Sequence, residues 1–281
     1  MKKTVFVLVL LCALCATAFA QNTIYVSAKG DDDNWGRSED EPFKTLWSAF
    51  LVAIATNANI TVIGTLDMTS EKLNSDDACF GMVDSRGLLK GRELVVTGKS
   101  GASGTERAVL SGKGSKKTVL IINNTKVRFE HIEISGGETD FGVYVVGGSQ
   151  ITMGTGAVVR DNMIGIIAAD GANFVIDGGV VSNNIVGGIS VKKGGILTLR
   201  TGSIRDNRGD NGGGVAIDDG GRFTMSGGTI SGNRATNAGG GVAVLSGGRF
   251  DQTGGTISGN SAGQGSNPNI YRQQGSLGSN L

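Results

Sequence analysis

Two stretches decide the fold: GGGVAIDDGGRFTMSGGTISGN, Gly212 to Asn233, and GGGVAVLSGGRFDQTGGTISGN, Gly239 to Asn260. They match at most positions with an offset of 27 residues. Weaker copies run backward from them: GGISVKKGGILTLRTGSIRDN from Gly187, GIIAADGANFVIDGGVVSNN from Gly165 and GVYVVGGSQITMGTGAVVRDN from Gly142. Three landmarks keep step through the five units. The glycine before the first run is Gly142, Gly165, Gly188, Gly214 and Gly241, and the central apolar residue is Ile151, Phe174, Leu197, Phe223 and Phe250. The closing residue is Asn162, Asn184, Asn207, Asn233 and Asn260. Internal periodicity of this length marks a repeat architecture.

Each unit holds three short alternating runs, seen best in Val215-Ala216-Ile217, Arg222 to Met225 and Thr229-Ile230-Ser231. Alternation means a strand with one buried face. Paired glycines separate the runs, and glycine allows the positive φ of sharp corners. One such unit cannot bury its apolar face alone, whereas stacked coils can. The expected fold is all-β: a right-handed parallel β-helix with three strands per coil and a short N-terminal capping helix.

Composition agrees. Of 281 residues, 48 are Gly and 2 are Pro, while 39% are hydrophobic, which fits neither collagen nor a disordered linker. The 26 basic and 25 acidic residues nearly cancel, so bulk charge recruits neither nucleic acid nor a membrane surface. Residues 1–20 read as a cleaved secretory signal: Lys2 and Lys3, an apolar stretch from Val5 to Ala16, and Ala18-Phe19-Ala20 before Gln21. That stretch is too short to span a bilayer, and no transmembrane segment follows it. The expected destination is the periplasm, the cell surface or the medium. Cys12 and Cys15 fall inside the leader, which leaves Cys79 alone and excludes an intrachain disulfide.

The domain organisation that follows is a signal peptide at 1–20, then a lead-in strand, acidic loop and capping helix at 21–58. The solenoid occupies 59–265, and a C-terminal cap with a loose tail occupies 266–281. The segment Lys44 to Thr56 carries Leu46, Trp47, Phe50, Leu51 and Ile54 at helical spacing and suits the cap. Between Ser70 and Lys90 the pattern fails, and an excursion from one face is expected.

The closing asparagines Asn162, Asn184, Asn207, Asn233 and Asn260 are expected to stack as a structural ladder, since equivalent side chains in successive coils lie roughly 4.8 Å apart. His131 falls in VRFEHIEISGG, at what reads as the same corner of an earlier coil. The catalytic candidates are Asp161 and Asp206, which share a place in Arg-Asp-Asn triplets two coils apart, roughly 9 to 10 Å. That separation is at the limit for an inverting carboxylate pair. Arg222 and Arg249, equivalent in adjacent coils, are the candidate ligand-binding residues for an anionic glycan. Asp31, Asp32 and Asp33 form an acidic loop and are the candidate calcium ligands, although the spacing is not that of an EF-hand. No other cofactor is expected.

Ile24-Tyr25-Val26-Ser27, Gly30-Asp31-Asp32, Asn34, Gly36 and Pro42-Phe43-Lys44-Thr45-Leu46 resemble the lead-in of exported pectin-lyase-like β-helix proteins. The GGTISGN repeats at Gly227 and Gly254, with GGGV at Gly212 and Gly239, are similar to those of bacterial surface β-helix proteins of the polymorphic outer membrane protein type. The resemblance implies the pectin-lyase-like fold and a surface role, with many members of that superfamily acting on acidic polysaccharides. The stretch up to Leu281 lacks the alternating aromatic strand of a membrane barrel, so another route to the surface is expected.

Two functions follow. The favoured one is a non-catalytic exported module, an adhesin or glycan-binding protein, whose partner is a polysaccharide or a host or cell-surface protein. The alternative is a polysaccharide lyase or glycoside hydrolase with its groove in the irregular early coils. The balance leans away from an enzyme because the regular repeats concentrate no reactive groups. Oligomeric state is left open.

Overall fold

The computed structural model describes residues 23–71, 78–83, 89, 91–99, 107–115, 118–137, 141–263 and 266–280. Residues 1–20, expected from the sequence to be a signal peptide, lie outside them, Cys12 and Cys15 included. The chain is a parallel β-solenoid of about 6 turns. A thirteen-stranded sheet forms its first two walls and an eight-stranded sheet the third, with a separate two-stranded pair at one corner. One coil runs through Gln150–Met153 on the first wall, Val158–Arg160 on the second and Ile164–Ala168 on the third. In the next, Asn173–Ser182 covers the first two walls as a single bulged strand, and Gly187–Val191 supplies the third. Pairing between them is parallel and in register, as in Ile151 with Phe174, Val159 with Val181 and Ile166 with Ile189.

The alternation read from sequence decides which side chains face inward. Ile151, Phe174, Leu197, Phe223 and Phe250 form one file by successive pairing, each at most 1% exposed. The rings of Phe223 and Phe250 stack with centroids 4.8 Å apart and an interplanar angle of 19°. Burying one such side chain contributes roughly 1.5–3 kcal/mol. The interior gap bordered by Phe129, Met153 and Phe174 is apolar and has no room for a water molecule.

Corners are set by backbone chemistry. Asp161, Asn183 and Asp206 precede the closing asparagines at φ of 55, 56 and 57°, and Gly232 and Gly259 continue the column at 67 and 65°. Only Gly, Asn and Asp adopt that left-handed conformation cheaply, which explains the residue types in the column.

The N-terminal end is closed by α1, Leu46–Thr56, packed over the first coil through Leu46, Ala49, Phe50, Ala53 and Ile54. The stripe differs from the expected one. Ala49 and Ala53 complete it, Leu51 is half-buried at its flank, and Trp47 is 39% exposed. At 100° per residue the buried arc runs from Ala49 to Ile54, and Trp47 and Leu51 fall just beyond its Ile54 edge. The excursion at 70–90 also contains more order than its composition indicates. Ala78–Val83 joins the third wall by pairing with Thr118–Asn123 and carries Cys79, while residues 72–77, 84–88 and 90 lie outside the described set.

The tail is not loose. Ile270–Arg272 pairs with Val242–Val244 on the third wall, and the Leu277 and Ser279 carbonyls accept from Phe250 and Gln252 on the first. Arg272 closes this end by donating to the carbonyls of Leu277 at 2.8 Å and Phe250 at 2.9 Å, with its guanidinium 5.5 Å from the Phe250 ring centre. An arginine can satisfy two end carbonyls while covering an aromatic face, a role that alternation alone does not reveal.

Candidate functional site

The asparagine column is the most ordered polar feature. Asn162, Asn184, Asn207 and Asn233 are at most 1% exposed and Asn260 is 8% exposed. Each side-chain amide donates to the Oδ1 of the next: Asn162 to Asn184 at 3.1 Å, Asn184 to Asn207 at 2.8 Å, Asn207 to Asn233 at 2.9 Å and Asn233 to Asn260 at 3.0 Å. The backbone N–H of each donates to the same oxygen. Asn269 from the tail accepts from Asn260 at 3.1 Å and ends the run. Gly137 occupies the place beneath Asn162 and donates its N–H to Asn162 Oδ1 at 2.9 Å. With their amides engaged inside the wall, these residues hold the corner and present nothing to a ligand.

His131 does not stand in that column. It is exposed at the corner between the first and second walls, at φ 52°, with its N–H donating to the Thr155 carbonyl at 2.9 Å. The strand before it, Lys126–Glu130, belongs to the first wall, whereas the asparagine column follows strands of the second.

Asp161 and Asp206 are exposed left-handed corner residues, each ion-paired at 2.6 Å with the arginine before it, Arg160 and Arg205. Asn183 separates them in the intervening coil. Arg160 also reaches the buried Glu133 at 2.9 Å, and this hydrogen bond holds its guanidinium above its ordinary pKa. Arg222 and Arg249 are register partners on the first wall. Arg249 is joined to Asp251 at 2.6 Å, and that bond holds the Asp251 carboxyl below the usual carboxylate range.

The acidic loop is a capping device. Asp32 Oδ1 accepts from the Lys44 and Thr45 N–H groups at 3.1 and 2.9 Å, and its Oδ2 accepts from the Thr45 hydroxyl at 2.8 Å. Asp31 accepts from the Asp33 N–H at 3.1 Å. The Asp31 and Asp32 carboxylates thus face backbone and hydroxyl donors, which a calcium site would have to displace. Among the described residues, no three or more His, Cys, Asp or Glu side chains are grouped to hold a metal ion.

Two features were not reached from sequence. Glu71 is buried and accepts from the Leu46 and Trp47 N–H groups at 2.6 and 3.2 Å, so it caps α1 from 25 residues away. Burial pushes its pKa up to about 7 against the lowering effect of those two bonds, with Asp32 adding a smaller upward push. On the first wall, Arg128 donates to Glu130 at 2.6 Å, a bond that raises its pKa, with Glu93 and Asp177 also raising it through their charge. The four residues come from three coils, a juxtaposition that needs the register of the irregular early turns. Compared with family profiles, with curated proteins and with solved structures, the chain matches none of them.

Proposed function

We propose that this chain is an exported, non-catalytic interaction module whose outer surface binds a macromolecular partner, a polysaccharide or a cell-surface protein. The observation that carries this reading is the placement of charge on the regular coils. Arg160 with Asp161, Arg205 with Asp206, Lys192 with Asp218 and Arg249 with Asp251 are neutralised in local pairs at corners and on the walls. Exposed pairs of this kind contribute little to stability, yet they offer a partner a fixed pattern of donors and acceptors. The coils hold that pattern on a stiff frame, so little conformational entropy is lost on binding. Export rests on the leader at residues 1–20.

A second reading has one observation in its favour. Arg128 is bonded to Glu130 at 2.6 Å on the first wall and feels the charges of Glu93 and Asp177, and carboxylates near a cation are what a polysaccharide hydrolase or lyase requires. The test is retention: the purified chain is incubated with immobilised acidic and neutral polysaccharides and with whole cells, with and without calcium. Retention on one surface supports the module. Failure to be retained on any of them would overturn it.

A further inference from the structure

The corner that follows the asparagine column changes along the axis. The backbone N–H groups of Ile185, Arg208, Arg234 and Ser261 donate to the carbonyls of Asn162, Asn184, Asn207 and Asn233 at 3.0, 2.8, 2.8 and 2.9 Å. These four residues therefore occupy one file, each held by the backbone of the ladder. In the later coils the corner lengthens into two short strands, Arg208–Asn211 and Arg234–Ala238, which pair in parallel with Arg208 opposite Arg234 and Gly209 opposite Ala235. They form a separate two-stranded ridge along that corner. Ile185 and Val186, 59% and 44% exposed, continue it in the preceding coil.

The first strand of this ridge reads Arg208-Gly209-Asp210. In an extended strand residues i and i+2 share a side, so the Arg208 and Asp210 side chains stand together, with Cα atoms roughly 6.5 Å apart. Both residues are exposed and Gly209 is buried. A Cβ at Gly209 would come within 2.9 Å of the Val186 carbonyl oxygen, so no side chain fits between the two charges without displacing backbone. The Thr236 hydroxyl donates to Asp210 Oδ1 at 2.8 Å, which orients the carboxylate and leaves its other oxygen for a partner.

We propose that this ridge is a docking site for a protein receptor that reads Arg208 and Asp210 together. The receptor supplies a carboxylate pocket for the guanidinium and a bound divalent cation with an open position for the Asp210 carboxylate. Ile185 and Val186 supply the apolar contact beside them. Arginine takes carboxylates in a bidentate fork, and a hard divalent cation takes a free carboxylate oxygen. Because Arg208 and Asp210 are both exposed, the pocket that receives them belongs to the partner. Because the ladder holds the strand, the two charges are ordered before binding.

This proposal rests on the reading of the chain as an interaction module and names one class of partner for it. It is tested by passing the purified chain over the immobilised ectodomain of an integrin that binds Arg-Gly-Asp peptides, in Mn²⁺ and then in EDTA. The expected result is binding that EDTA abolishes and a short Arg-Gly-Asp peptide competes away. Arg208→Lys and Asp210→Glu, which keep charge and fold, are each expected to weaken it at least about tenfold. Absence of binding in Mn²⁺, or binding that survives EDTA or both variants, would overturn the ridge proposal. Polysaccharide retention without receptor binding would sink the ridge and leave the module standing, whereas cleavage of a polymer would remove the module itself.

Discussion

The side-chain amide of Asn184 and its backbone N–H both donate to one atom, Oδ1 of Asn207, at 2.8 and 3.1 Å. Asn207 in turn donates to the Val181 carbonyl at 3.0 Å inside the second wall. A single buried side chain thus satisfies three groups of the preceding coil, and leaving buried polar groups unmade costs about 1–3 kcal/mol each. Asn207→Ala is therefore expected to destabilise the chain by about 3 kcal/mol or more in urea denaturation. Asn260→Ala, at the exposed end of the run, should cost less. Equal losses at both positions would mean that the ladder does not act through buried hydrogen bonds.

Glu71 gives the N-terminal cap a pH dependence opposite to that of an ordinary paired carboxylate. Its folded pKa is raised from 4.5 to about 7, chiefly by burial, so the folded state holds a proton that the unfolded chain releases near 4.5. The stabilisation is complete below pH 4.5, is lost as pH rises towards 7, and changes no further above that. The loss amounts to at most about 3 kcal/mol. Glu71→Gln keeps the size and one acceptor oxygen but cannot ionise, so its stability curve should be flatter across that window. Urea midpoints measured at pH 4.5 and 7.5 for both proteins decide the matter, and parallel curves would contradict the assignment.

The aromatic file predicts a graded response. Phe223→Ala removes a ring stacked on Phe250 and should cost about 3–5 kcal/mol. Phe223→Leu should cost less than about 1.5 kcal/mol, because Leu197 already fills the same file one coil earlier. Thermal melts separate the two variants. A Leu variant as damaged as the Ala variant would show that ring stacking, not volume, holds the file.

The corner column yields a test that adds no contact. A Cβ at Gly259 meets nothing within 4 Å, and its φ of 65° is close to that of Asn183. Gly259→Asn should be nearly neutral in thermal unfolding. Gly259→Val should lose about 1–2 kcal/mol, since a β-branched residue resists the left-handed region. A neutral Val variant would contradict the backbone argument.

From Gly142 onward the coils were legible in the sequence because each carries three registers at once: a corner glycine, an inward Ile, Leu or Phe, and a closing Asn. Before it, one register is missing. Gly137 replaces the asparagine beneath Asn162, so nothing in the sequence ties His131 to its true corner between the first and second walls. Ala78–Val83 was hidden because a single six-residue run without a periodic neighbour does not announce a strand. Glu71 and Arg272 were beyond reach for a different reason. Each acts across a long stretch of chain, Glu71 on Leu46 and Arg272 on Phe250, and only the folded coil brings them together. Arg128 with Glu93 and Asp177 is the same case.

On the function proposed above, the wall presents its charges for binding and not for chemistry. The most direct measurement incubates the purified chain with acidic and neutral polysaccharides, with and without calcium, and assays each for new reducing ends and unsaturated products over many hours. The account predicts neither, even for a polymer that the chain retains. New ends that vanish in an Arg128→Ala or Glu130→Gln variant would contradict it and place the active site on the first wall.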